Sequence, residues 1–595
     1  MIARFFTLFL LSTLFISLHA QNTSNPQVTA QELANHVRYL ASDRLEGRGS
    51  GSRGSALASQ YIADLFKSNG LKPLGENGGY FQAFDFIAGA ELGASNKLLV
   101  LGAAQELNKD YIPLVHSSSG SYNGEVVFVG YGISSSKNNY DEYAGVDVNG
   151  KAVLILRGTL DQSNPHSDFA GFTSLDYKIS KAKEMGAAAV FIVSGPVDEE
   201  TTELAPFKFS RRGMNSGVLA VNITKRSADA LLASTGKTLR ELQIAIQDTK
   251  TPQSLLIQGS SVAAQVDVRE IRKKDRNVIG FLEGNDLALK NEVVVIGAHF
   301  DHLGFGGEGS LSPDTVAIHN GADDNASGTS GLLELAQAFA AQKKQLKRSM
   351  LFLSFSGEEL GLLGSAFYVK NPVLPLENAV AMLNMDMIGR MSNKTLIVYG
   401  IGTSPVFEAL VHKYNADSTF VLKLNKDGFG PSDHSSFYGK KIPVYHFFTG
   451  THLDYHKPSD DAETINSEGM EKIVRYIEQI AFDINTKIDR PVYAQVEAPR
   501  PEGQMRGFRV YVGTVPDYSE QTNGMKISTV RDGSPAAKAG IQGGDVMIKF
   551  GKVDVKNVYD YTYALGEYVP GDEVDVIVKR GDETKTLKVK LERRN

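Results

Sequence analysis

The chain has no cysteine in its 595 residues. That absence excludes a disulfide framework, a lipid-modified cysteine and any thiolate metal site, so a metal held here must be ligated by His, Asp or Glu. There is no basic excess either. The formal charge is -6, which offers no pull towards nucleic acid or an anionic membrane surface. Beyond the first twenty residues no stretch is long and apolar enough to cross a bilayer, and there is no internal repeat or low-complexity tract. With 42% hydrophobic and 22% charged residues, the composition is that of a soluble globular protein, and a small or peptide substrate suits it. A chain of this length needs several cores, roughly three or four folding units.

The opening residues "MIARFFTLFLLSTLFISLHA" join one early Arg, an apolar run and a small residue before "QN", the pattern of a secretory signal over 1–20. The mature protein is therefore expected to be exported, periplasmic or secreted, with no transmembrane anchor. "TAQELANHVRYLASDRLEGRG" and "SALASQYIADLFKSNGLKPLG" then have apolar residues at helical spacing, the first behind a Thr cap, and predict two helices. Between 107 and 256 short β-rich runs such as "GEVVFVGYGI", "KAVLILRG" and "AAAVFIVSG" mark a separate module. From "RNVIGFLEG" at 276–284 onward, strand-like and helical runs alternate, which predicts an α/β sheet with helices on both faces and ligands at the carboxyl ends of its strands. A link, "YAQVEAPRPEGQ", leads to a third unit of several short strands and one helix.

The chemistry-bearing residues of the α/β unit fall where apolar runs stop. They are His299 and Asp301 in "AHFD", Asp323 and Asp324 in "GADDNASG", Glu358 and Glu359 in "SGEELG", Asp386 in "NMDMIG", and Tyr455, His456 and Asp460 in "DYHKPSD". Carboxylates gathered at one sheet edge repel one another and raise their own pKa values, and a cation resolves that conflict. Three or four carboxylates with two imidazoles and no thiolate suit zinc, with manganese or cobalt as alternatives. Asp301, two residues after His299, and Asp460, four after His456, are placed to hold the imidazoles as hydrogen-bond acceptors. Glu358 and Glu359, expected at the start of a helix, point in different directions, so that one can ligate while the other moves a proton. His302, His319, His434 and His446 lie near these motifs in sequence and are candidates to line the pocket. "PSDHSSF" lacks a nucleophile elbow, and "GFGGEG" at 304–309 fits neither glycine-rich phosphate loop; it reads as a rim.

These motifs, in this order, resemble the exported dinuclear-zinc aminopeptidases, whose wider relatives include glutamate carboxypeptidases and glutaminyl cyclases. The resemblance spans the mature chain to about residue 490. It implies two Zn2+ per chain, with His299 and Asp386 on one, Glu359 and His456 on the other, and Asp324 bridging them. Glu358 would be the general base, Asp301 the partner of His299, and Tyr455 an oxyanion donor. The implied fold is an α/β zinc-exopeptidase catalytic domain, with a central mixed sheet flanked by helices, over 21–106 and 257–495. The implied activity is hydrolysis of N-terminal residues from peptides through a water shared by the metals. Carboxypeptidase-like or dipeptidase activity, with Arg390 as the one nearby cation for a substrate carboxylate, stays open, as does a non-catalytic peptide-binding scaffold.

The 107–256 stretch resembles an inserted protease-associated domain, read as a lid over the active site. The stretch "SPAAKAGIQGGDVMIKF" within 503–595 resembles a bacterial PDZ domain, whose ligand would be a peptide or protein added at a strand edge. Val512, Gly513, Thr514 and Val515 match a carboxylate-binding loop only loosely, which leaves docking onto the catalytic domain as the alternative.

Overall fold

The computed structural model describes residues 27–593 apart from 136–137, 162–166, 168, 170–171, 174, 198–203, 208–215, 308, 313–314, 488, 497–509, 517–523, 531–532, 556–560, 562–563, 566–567 and 569. The expected signal at 1–20 and most of the link before the third unit lie outside the described residues. Among those described, no helix is long and apolar enough to cross a membrane.

Two helices open the described chain. α1 (Ala30–Leu40) is capped by Thr29, whose hydroxyl accepts the Glu32 N–H, and α2 (Arg53–Ser68) by Ser52, which accepts from Ser55. Each cap satisfies a backbone donor that the helix itself leaves free. A mixed sheet of nine strands follows, made of β1 (Lys72–Pro73), β2 (Phe81–Leu92), β3 (Val268–Leu282), β4 (Val293–His299), β5 (Ser349–Phe355), β6 (Ala379–Met385), β7 (Thr395–Tyr399), β8 (Val421–Leu424) and β9 (Val444–Phe448). Its order is β1-β3-β5-β4-β6-β9-β7-β8, with β2 also on β3. The four central strands β5, β4, β6 and β9 are mutually parallel, and β3 joins β5 antiparallel.

Every residue of β4, β5 and β6 is buried, as expected of parallel strands covered on both faces. Alternate residues go to opposite cores. Val294 and Ile296 pack with Leu33, Ile62, Leu332 and Ile477 of α1, α2, α3 (Gly328–Ala341) and α4 (Ser467–Thr486). Val293 and Val295 pack with Leu353, Met382, Tyr368 and Phe437 on the other face. Since the central strands are parallel, the loops after β4, β5, β6 and β9 all leave from one edge.

A second sheet of eight strands has its own core and runs between Lys97 and Val266. Its centre is parallel, formed by Gly120–Phe128, Ala152–Leu156, Ala189–Val193 and Leu219–Ile223. It is wider than the 107–256 stretch, because Lys97–Val100 and Leu255–Val266 pair antiparallel at its edge. The C-terminal unit has a six-stranded sheet, the helix Pro535–Ala539 and a separate core around Ile527, Phe550 and Val576.

Candidate metal centre

The edge at the carboxyl ends of β4, β5, β6 and β9 gathers His299, Asp324, Glu358, Glu359, Asp386 and His456. All of them are buried. His299 is the last residue of β4 and Asp386 follows β6. Asp324 lies in the turn before α3. The glutamates differ from expectation: helix Leu363–Lys370 begins four residues after Glu359, so both sit in a turn. That turn is made by Gly357, whose φ of 73° favours a residue without Cβ.

The donors fall into two groups, His299 with Glu358 and Asp386, and His302 with Asp324 and Glu359. Asp324 reaches both sides. Its Oδ1 is 3.5 Å from His299 Nε2, and its Oδ2 is 3.1 Å from His456 Nε2. His299 Nε2 also faces Asp386 Oδ1 at 3.3 Å and Glu358 Oε2 at 3.9 Å. On the other side His456 Nε2 is 3.2 Å from Glu359 Oε2. His299 Nε2 and Asp386 Oδ1 are buried yet make no hydrogen bond. Buried polar atoms without partners are uncommon in native folds and call for an absent ligand. Imidazole nitrogens and carboxylate oxygens, without sulfur, form a donor set that fits zinc.

The supporting contacts are specific. Asp301 approaches His299 Nδ1 with its backbone carbonyl at 3.2 Å and its carboxylate at 3.6 Å. The same carboxylate accepts the Glu358 N–H at 3.1 Å and the Ser50 hydroxyl at 2.8 Å. The expected role of Asp460 is corrected. Its carboxylate accepts the N–H groups of Asp323 and Asp324 at 3.0 and 3.1 Å, so it fixes the backbone of Asp324, while His456 Nδ1 lies 2.8 Å from the Gly309 carbonyl. A four-residue spacing reaches that turn because the 456–460 segment folds back rather than running on as helix. The 304–309 rim therefore forms part of the site's support.

Electrostatics follow from the burial. Burial pushes His299 down, but Asp386, Glu358 and Asp301 overrule it and hold it well above the ordinary imidazole value. For His456 burial is likewise overruled, by Glu359 and Asp324. Burial raises Glu359, yet His456 and His302 bring it well below the usual carboxylate range. Glu358 is held well above that range by burial, with Glu359, Asp386 and Asp433 adding to the effect against His299. Tyr455 stacks on His456 with ring centroids 3.9 Å apart. Its phenol is held well above its ordinary value by burial and by Asp324, Glu359, Glu358 and Asp386, and so remains a donor.

The neighbouring residues of these motifs have partners of their own. His302 lies against Glu359, with Nδ1 2.6 Å from Oε1. His319 bonds the Ser310 hydroxyl and the Ala317 carbonyl, and His434 stacks on His446 at 4.3 Å. Arg390 bonds the Asp454 carboxylate at 2.9 Å and the Thr464 hydroxyl at 2.6 Å. Asp323 bonds the Gly389 N–H at 2.6 Å and stands 3.2 Å from His452, a residue that sequence reasoning passed over.

Arg48 was also missed. Its fully buried guanidinium donates to the carbonyls of Phe300, Leu40, Asn320 and Gly321 at 2.5–2.8 Å, tying the His299 loop to the Asp324 loop. Burial lowers it to about 10, against the pull of Asp301, Asp324, Asp460 and Glu359. The one signal in the sequence was an Arg within the glycine-rich run "EGRGSGSRG".

With this geometry established, similarity to known proteins narrows the reading. Residues 277–481 match Peptidase family M28, a span holding every candidate ligand, and residues 516–591 match a PDZ domain. Leupeptin-inactivating enzyme 1 of Streptomyces exfoliatus is 32% identical over 188 residues, 31% of this chain and 38% of that protein. Aminopeptidase YwaD of Bacillus subtilis is 24% identical over 390 residues, 64% of this chain and 72% of that protein. The chain thus spans well under half of the first relative and nearly three quarters of the second. Among solved structures, the aminopeptidase from Aneurinibacillus sp. strain AM-1 is similar over 80% of this chain and 98% of its own, at 25% identity and a TM-score of 0.46. Residues 277–481 are thus similar to Peptidase family M28, and residues 516–591 to a PDZ domain.

Proposed function

We propose that the protein is an exported zinc-dependent aminopeptidase with two Zn2+ per chain. The observation that carries the reading is the division of Asp324, with one oxygen towards His299 and the other towards His456, which suits a carboxylate shared by two cations. His299, Asp386 and Asp324 would hold one ion, and Glu359, His456 and Asp324 the other. When bound, such a pair polarises the scissile carbonyl and acidifies the attacking water. Glu358, buried beside His299 and fixed by the Asp301 carboxylate on its N–H, would take the proton from that water and deliver it to the leaving amine. The Tyr455 hydroxyl donates to the developing oxyanion. The buried carboxylates receive the substrate's free α-amine.

The carboxypeptidase alternative loses its cation, since Arg390 is engaged by Asp454 and Thr464. Glu358 weighs against the scaffold, because a binding protein needs no base beside its metals. In this proposal the unit built on the nine-stranded sheet is the catalytic domain, the eight-stranded unit between Lys97 and Val266 is a lid, 503–595 binds a peptide or docks internally, and residues 1–20 direct export. Paired leucine anilides, free and N-acetylated, test the reaction. Acetylation should cost at least ~2 kcal/mol of transition-state binding, more than about thirtyfold in kcat/KM. Equal rates would reject the aminopeptidase while leaving the metal centre in place. Deleting 503–595 should leave these rates unchanged.

A further inference from the structure

Most of the candidate ligands have an orienting contact outside the donor set. His299 has Asp301, Asp324 has the Asp460 carboxylate on its backbone N–H, His456 has the Gly309 carbonyl, and Asp386 takes a hydrogen bond from Ser432. Glu359 sits in a turn rather than on a rigid element, and its remaining oxygen needs the same service. We propose that His302 is the positioning residue of Glu359, presenting it to its metal through a single oxygen. The inference rests on the two-zinc reading.

The contact is direct. His302 Nδ1 lies 2.6 Å from Glu359 Oε1, whereas Oε2 turns inward to within 3.2 Å of His456 Nε2. An ionised carboxylate only accepts, so Nδ1 carries the hydrogen. That bond fixes the carboxylate plane and keeps Oε1 from folding inward to chelate beside Oε2. The imidazole is itself held. Its backbone N–H donates to the Arg48 carbonyl at 3.3 Å, and its ring is buried edge-on to His456 at 5.7 Å. It packs so closely on Gly321, at a φ of 55°, that a Cβ there would lie 2.5 Å from the ring. With its backbone tied to Arg48 and its ring against a turn that admits only glycine, the imidazole is held facing Glu359. Neither the glutamate pair nor the motif "HFDH" announces this pairing, because the two residues lie 57 positions apart.

The test compares His302→Leu with His302→Asn in the full mature chain. The Asn amide places an N–H close to the position of Nδ1, and Leu has no donor. Zinc is titrated against a chelator, and the metal-free melting temperature of each variant is read alongside. Loss of an outer contact of this kind costs about 10–100-fold in metal affinity. His302→Leu should therefore weaken one of two zinc ions by that factor and shift the absorption spectrum of one of two bound cobalt ions, and His302→Asn should recover most of both. Should Leu prevent folding, His302→Ala, which needs less room, takes its place. Equal weakening in Asn and Leu would make the role one of packing, and unchanged affinity in Leu or Ala would make it none; either overturns the proposal. A wild-type protein that takes up no zinc would instead overturn the metal centre on which the proposal stands.

Discussion

The Asp301 carboxylate accepts the backbone N–H of Glu358 at 3.1 Å, so the loop after one central strand fixes the backbone of the residue that follows its neighbour. The same loop positions His299, and imidazole and glutamate are thereby set relative to each other. Ser356 adds a second tie, donating its hydroxyl to the buried Asp275 at 2.7 Å. Glu358→Gln keeps this backbone arrangement and removes the proton-accepting group. It should retain both metals and lose about 10²–10⁴-fold in turnover, the contribution typical of a general acid–base group. Metal analysis and steady-state rates on one preparation check this. Near-normal turnover would take Glu358 out of the mechanism.

Asp324→Ala should behave differently. Its carboxylate faces both donor sets, so its loss leaves two cations opposed with no shared anion. Metal content should fall together with activity. Two zinc ions per chain in that variant would show that the bridging role is wrong.

The strand-end placement of His299, the acidic turn before α3 and Asp386 after "AMLNM" were all legible. Buried parallel strands read as unbroken apolar runs, and polar residues at their ends stand out. What the sequence did not yield were the contacts that depend on chain reversal. Asp460 turns to the Asp324 backbone and not to the imidazole four residues before it, because local spacing carries no information about a folded-back loop. Arg48 was hidden for a related reason. It acts on carbonyl oxygens, which every residue has, so nothing in the composition of the 300 or 320 loops marks them as its partners.

Arg48 is a buried cation with four backbone acceptors, and its removal strands those carbonyls in the interior. Arg48→Met should destabilise the metal-free protein, at about 1–3 kcal/mol for each buried acceptor left without a donor. Arg48→Lys, which keeps the charge but cannot span both loops with a fork, should recover only part of that loss. Chemical denaturation measures both. A methionine variant as stable as wild type would mean that the loops hold their positions without the guanidinium.

The final prediction concerns pH, where the metal-free and zinc-loaded proteins should move in opposite directions. In the metal-free site both imidazoles are held well above their ordinary value, His299 by Asp386 and Glu358 against burial, His456 by Glu359 and Asp324. A group whose folded pKa is raised adds stability that is complete below its unfolded value, about 6.5 for His, and is lost as pH rises through the folded value. Glu358, also raised, acts with the same sign. The melting temperature of the metal-free protein should accordingly fall as pH rises above 6.5. Zinc, in contrast, needs the neutral imidazole and must displace those protons. Its apparent affinity should keep climbing above pH 6.5, by up to about tenfold per pH unit for each proton released. Calorimetry of both forms and a chelator competition from pH 6 to 9 read the two trends. An affinity that levels off at pH 6.5 would mean that His299 and His456 titrate as ordinary histidines, with no carboxylates holding their protons in place.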